Sequence, residues 1–120
     1  MDWAIEDNNL EAVRILVYAG TDVNHVDYDN VSPLMKATYI GNTDIMGLLL
    51  SKGSHINEQD YYGETALFYA VYYEQEGAVK FLLEHGADKE IRNTDNETAL
   101  MYAIKAGDQE IIDLLREKFR

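Results

Sequence analysis

A block of 33 residues recurs along the chain, and this period constrains the fold more than any other feature. Gly20, Gly53 and Gly86 stand 33 residues apart, and so do Ala4, Ala37, Ala70 and Ala103. Around them the text repeats as Ser32-Pro33-Leu34, Thr65-Ala66-Leu67 and Thr98-Ala99-Leu100. A fixed period of this size predicts a stacked array in which each unit buries its apolar side only against its neighbours. Four units in register divide the 120 residues at about 1–26, 27–59, 60–92 and 93–120, which is one domain and leaves no room for a second. Stacked arrays expose long, shallow surfaces, so the period argues for binding rather than for a closed catalytic pocket.

One unit read alone is a pair of helices. In the third, Thr65 is placed to cap a helix through its hydroxyl, and Ala66 stands where the second unit has Pro33. Leu67, Ala70 and Val71 follow the helical period and mark a buried stripe that carries the helix to about Tyr73. A second helix spans about Gly77 to His85, with Val79, Leu82 and Leu83 buried and Gly86 ending it in the left-handed conformation. Asn30, Gly63 and Asn96 mark tight, hairpin-like turns between units, since these residues accept positive φ. Alanine at positions 37, 70 and 103 allows close helix stacking.

The repeated text resembles the ankyrin repeat over essentially the whole chain. The turn Asp60-Tyr61-Tyr62-Gly63, the Thr65-Ala66-Leu67 opening and the closing Leu82-Leu83-Glu84-His85-Gly86-Ala87-Asp88 carry the likeness, as does Gly20-Thr21-Asp22-Val23-Asn24. The resemblance implies an all-α, helix-turn-helix solenoid that serves as scaffold, adaptor or inhibitor without catalysis of its own. Two departures stand out. The family's histidine is replaced by Met35, Phe68 and Met101, which predicts loss of its hydrogen bond to the helix-start Ser or Thr. The mid-unit glycine, kept at Gly41 and Gly107, becomes Asn8 and Glu74. Glutamate tolerates the left-handed region poorly, so the segment 74–77 is expected to be irregular, with Gly77 supplying the turn.

Tyrosine placement gives the surface its character. The chain has 9 tyrosines, and all but Tyr18 map to the hairpin tips or to one side of the first helices. On those helices the exposed positions are Trp3, Glu6, Asp7, Lys36, Tyr39, Ile40, Tyr69, Tyr72, Tyr73, Tyr102, Lys105 and Ala106. The expected partner-binding set is Tyr28, Tyr39, Tyr61, Tyr62, Tyr69, Tyr72, Tyr73 and Tyr102, with Asp29 and Glu64. Tyrosine joins a large apolar body to a polar tip and recurs among the residues that dominate binding energy. Asp27, Asp60, Glu74, Asp95 and Glu97 complete an acidic rim, which suits a protein partner bearing Lys or Arg. The opposing expectation is that the rings stack between units and only stiffen the array.

Charge and composition narrow the classes further. The formal net charge is −12, a balance that repels nucleic acid and anionic membranes. There is no cysteine, hence no disulfide or thiolate metal site. No leader or long apolar run is visible, which predicts a soluble, cytoplasmic monomer, or a microbial effector exported without a visible signal. His25, His55 and His85 are 30 apart rather than 33, so they fall at three different places in the unit and make no metal ladder. No nucleophile, paired-acid or phosphate-loop pattern emerges, so neither enzyme nor cofactor is expected. At the ends, Arg116 and Phe119 replace residues that the inner units bury or use as a closing glycine, as a terminal cap requires. The first unit lacks a turn of its own. Two readings fit that end: a compact cap, or a piece of a longer array whose face serves structure or self-association.

Overall fold

The structure, a computed structural model, describes residues 1–117. Every regular element among them is a helix. They run in pairs: α1 (Asp2–Glu6) with α2 (Leu10–Tyr18), α3 (Pro33–Ile40) with α4 (Thr43–Ser51), α5 (Ala66–Tyr72) with α6 (Glu76–Glu84), and α7 (Ala99–Ala106) with α8 (Gln109–Arg116). Odd helices stack on odd and even on even, giving two layers in a body of 40 × 26 × 25 Å. The result is the all-α solenoid that the period predicts.

The helix starts follow from short polar side chains. Ser32 Oγ accepts the Met35 N–H at 3.2 Å, and Thr98 Oγ1 accepts that of Met101 at 3.3 Å. In the second helices, Asn9, Asn42 and Asp108 accept the N–H groups of Ala12, Ile45 and Ile111. Each such cap satisfies an N–H that the helix itself leaves free. Thr65 departs from its expected role, with no N–H bonded to its hydroxyl, and nothing in the structure explains this. Nor is the bond of the replaced histidine wholly lost. The Ser32 N–H donates to Met35 Sδ at 3.3 Å, so a thioether closes a reciprocal cap in this unit.

The expected irregularity near Glu74 is absent. Glu74 itself takes the left-handed conformation at φ 53°, beside Asn8 at 56°, Gly41 at 86° and Gly107 at 77°, while Gly77 lies inside α6. The cause is the closure of α5. Glu74 N–H donates to Val71 O at 3.2 Å and Gln75 N–H to Ala70 O at 2.9 Å, the same pair that Gly41 and Asn42 make after α3. Those bonds hold a side-chain-bearing residue where only glycine sits without strain. Glu74→Gly is therefore expected to stabilise the protein by about 1 kcal/mol, read as a higher urea midpoint at unchanged slope.

The core runs the length of the stack. Ala4, Ala37, Ala70 and Ala103 are fully buried and let the odd helices approach closely. Leu34, Leu67, Val13, Met46, Val79, Leu49, Leu82 and Leu115 fill the space between layers, with Phe68 the largest side chain wholly enclosed. Arg116 is exposed, as a cap position requires; Phe119 lies outside the described residues. Lys89 Nζ donates to Leu115 O at 2.7 Å and Glu117 O at 2.8 Å, tying the end of α8 to the preceding unit.

Candidate protein-interaction face

Three hairpin tips project from the stack, and each is built on the same residue position. Asp27, Asp60 and Asn93 each present a side-chain oxygen to two backbone N–H groups, two and four residues on. The pairs are Asp29 and Val31 at 2.9 Å, Tyr62 and Glu64 at 2.9 Å, and Asp95 and Glu97 at 3.0 Å. Such side-chain-to-backbone bonds mimic a backbone turn and fix its shape. Asn30, Gly63 and Asn96 sit at φ 64°, 74° and 62°, as their residue types predict. Neighbouring tips are joined by one backbone bond each, Tyr61 N–H to Asp29 O and Thr94 N–H to Tyr62 O, both 2.9 Å. At Gly63 the next tip comes so near that an added Cβ would lie 3.1 Å from the backbone of Asn93 and Thr94.

This geometry corrects the expected acidic rim at Asp60 and Asp27, and Glu64 and Glu97 are likewise half-buried and bonded within the chain. Asp60 is only 7% exposed and is consumed inside its own turn. Asp27 is half-buried; burial opposes its charge, but the Val31 and Asp29 N–H groups and Lys36 outweigh that and hold its carboxyl below the usual range. Lys36, placed on the open face by its spacing, is likewise buried. Its ammonium lies 2.9 Å from Asp2 and 3.3 Å from Asp27. Burial pulls its pKa down, yet the bonds and charges of Asp2 and Asp27 prevail and raise it. The missed signal was the 33-residue spacing of Asp27, Asp60 and Asn93 themselves, three short polar acceptors opening three turns.

The inner helices repeat the same logic one layer deeper. Tyr69, one period after Lys36, donates its hydroxyl to Asp60 at 2.5 Å. Tyr72 donates to Glu64, whose carboxylate also accepts from Asn93 Nδ2 at 3.1 Å. Lys105, one period after Tyr72, pairs with Glu97. Burial, then the bonded carboxylates, raises the pKa of both Tyr69 and Tyr72 well above the ordinary phenol value. Tyr39 stacks on Tyr73 at 5.2 Å and on Tyr69 at 6.4 Å, while Tyr72 meets Tyr102 edge-on at 4.0 Å. Gln75 Nε2 reaches back to Tyr39 O at 2.9 Å, a bond between units that the sequence pattern does not announce.

The ten singled-out residues thus divide. Tyr39, Tyr69, Tyr72, Tyr102 and Glu64 are half-buried, and most of them bond or stack within the chain. Tyr28, Tyr61, Tyr62 and Tyr73 are 102%, 73%, 64% and 54% exposed, and Asp29 is exposed beside them. Tyr28 and Tyr61 flank a shallow notch with Asn30. Tyr18 stands apart on α2, with the Lys52 ammonium 4.4 Å from its ring. His85 stacks on Phe81 at the end of α6, with its Nδ1 2.8 Å from Phe81 O. Among the described residues, no three His, Asp or Glu side chains converge on a point that could hold a metal ion. No helix there is long and apolar enough to cross a membrane.

Paired helices stacked in two layers, with hairpin turns between them, define a helical repeat protein. Two family models match, one described as ankyrin repeats (3 copies) over residues 1–93 and one as ankyrin repeats (many copies) over residues 72–116. The chain belongs to the ankyrin repeat family. A comparison with curated proteins finds no match. Ankyrin repeats are generally protein–protein interaction modules, and the fold is not an enzymatic one.

Proposed function

We propose that this protein binds a basic, Lys- or Arg-bearing protein on the concave face made by its hairpin tips and inner helices, acting in the cytoplasm as a monomeric scaffold, adaptor or inhibitor. The observation that carries the reading is the division among the tyrosines. Tyr69 and Tyr72 spend their hydroxyls on Asp60 and Glu64 and stiffen the wall. Tyr28, Tyr61, Tyr62 and Tyr73 stand in front of it as large, exposed rings. Rigid aromatic groups of this kind bury much area while losing little rotamer freedom. Stiffening and binding are then complementary roles of one tyrosine set. The net charge of −12 steers a cationic partner in and keeps nucleic acid and anionic membranes away.

A second reading, self-association through the ends of the stack, draws on the exposed apolar side chains Ile15 and Ile104. Affinity capture from the source lysate, run with wild type and with Tyr62→Ala plus Tyr73→Ala, tests the first. A partner lost only in the double variant supports it, and each single change then weakens affinity by about 2 kcal/mol, roughly 30-fold. Equal capture by a folded double variant sinks the face, and sedimentation as a concentration-dependent oligomer favours the ends.

A further inference from the structure

Residues one period apart line up across the inner helices as rows. One row runs Glu6, Tyr39, Tyr72, Lys105; beside it runs Asp7, Ile40, Tyr73, Ala106. The first row begins with a carboxylate, crosses two aromatic rings and ends with an ammonium. Its two ends differ in a second respect. Lys105 is already paired with Glu97, whereas Glu6 and Asp7 make no ion pair among the described residues. Both acids are exposed on α1 and its C-terminal cap. Several other acids near the inner helices are engaged: Asp2 and Asp27 by Lys36, Asp60 by Tyr69, Glu64 by Tyr72 and Asn93, and Glu97 by Lys105.

Resting on the concave face being the working surface, we infer that its N-terminal end is a seat for an arginine side chain of the partner, formed by the stacked rings of Tyr39 and Tyr73 and the free carboxylates of Glu6 and Asp7. The two rings lie 5.2 Å apart between centroids and 30° from parallel, with Tyr73 the more exposed. A planar guanidinium can lie on the Tyr73 face and turn its N–H fork toward the acids, whereas an ammonium offers a point charge and no plane. Glu6 is near enough to Tyr39 that, after burial, its charge is the next cause raising the phenol pKa. At the other end Lys105 and Glu97 neutralise each other, so that end of the row attracts an arginine less. The partner segment therefore enters in one orientation, arginine toward α1.

The test uses a capped tri-arginine peptide, with tri-lysine and tri-glutamate peptides alongside, titrated into the labelled protein while tyrosine ring resonances are followed. Tri-arginine is expected to shift Tyr39 and Tyr73 selectively, tri-lysine to bind several-fold more weakly, and tri-glutamate to shift nothing. Charge reversal by Glu6→Lys with Asp7→Lys is expected to weaken the arginine peptide about tenfold. The matched reversal Glu84→Lys with Glu90→Lys, on exposed residues away from the rows, should change affinity less than about twofold. Equal loss in both variants, or shifts spread over α2, α4, α6 and α8, overturns the seat and leaves only net-charge attraction. A captured protein partner that depends on Tyr62 and Tyr73 but ignores the Glu6 and Asp7 reversal keeps the concave face and removes the arginine seat. Thermal melts of each variant confirm folding, which a lysine at the α1 C-terminal cap does not oppose.

Discussion

Asp60→Ala is expected to lower stability by about 3 kcal/mol, because it strips three donors of their acceptor at once. Tyr62 N–H, Glu64 N–H and the Tyr69 hydroxyl all bond this one carboxylate. The site is buried, so water replaces those bonds poorly. Asparagine provides the built-in comparison. Asn93 holds the equivalent turn one period later through its amide oxygen, with the same pair of backbone bonds at 3.0 Å. Asp60→Asn should therefore keep the turn and cost about 1 kcal/mol. In a domain of this size the alanine change corresponds to a fall in melting temperature on the order of 10 °C. Equal losses in the two variants would show that charge, rather than hydrogen-bond geometry, holds the tip.

Lys36→Ala is expected to cost about 2 to 3 kcal/mol, less than a fully enclosed pair because the Asp2 and Asp27 side chains keep 44% and 32% exposure. The removed ammonium leaves two carboxylates facing each other, and its stem leaves a gap between α1 and the first tip. Lys36→Met refills the gap and isolates the charge effect. The pH dependence has a definite sign. Asp27 titrates below its ordinary 3.8 in the folded protein, so its contribution is present above that pH and is lost as pH falls through the lowered value. Lys36 titrates above 10.5, so its contribution is present below that and is lost as pH rises through the raised value. In Lys36→Met the acid loss below about pH 4 should be shallower than in wild type, since Asp27 has lost one of the groups that lower it. Denaturant melts between pH 2 and 7 check this; an unchanged acid limb would mean that the backbone bonds alone depress Asp27.

Much of the architecture is legible in the residues because one interface is written repeatedly. Ala37, Ala70 and Ala103 each meet the same neighbour, so reading one position reads them all. The left-handed glycines and asparagines are equally plain, since few other residues take that conformation. Glu74 escapes such reading because its conformation is imposed by the bonds closing α5, against its own preference. Lys36 escapes for a related reason. Helical spacing places it on the open side, but Asp2 and Asp27 arrive there from other segments and it is buried. Among the candidate site residues, spacing groups the tyrosines on the tips and inner helices but does not separate the exposed rings from the bonded ones. Tyr69 and Tyr72 turn their hydroxyls onto acids nine and eight residues earlier, Asp60 and Glu64, yet Glu64 also stands nine before the exposed Tyr73, so spacing alone does not make the division.

The single backbone bond between adjacent tips has a mechanical consequence. Each tip is braced by its own side-chain acceptor and tied to the next by one backbone bond of 2.9 Å, with side-chain bonds beside it: Asn30 Nδ2 to Gln59 O at the first joint, Gln59 Nε2 to Arg92 O and Asn93 Nδ2 to Glu64 at the second. The row of tips is thus a linkage whose two joints are held by different numbers of bonds. The second joint is also the closer one, since any side chain at Gly63 would press on the backbone of Asn93 and Thr94. Rotation between tips should therefore be easier at the first joint, between Asp29 and Tyr61, than at the second.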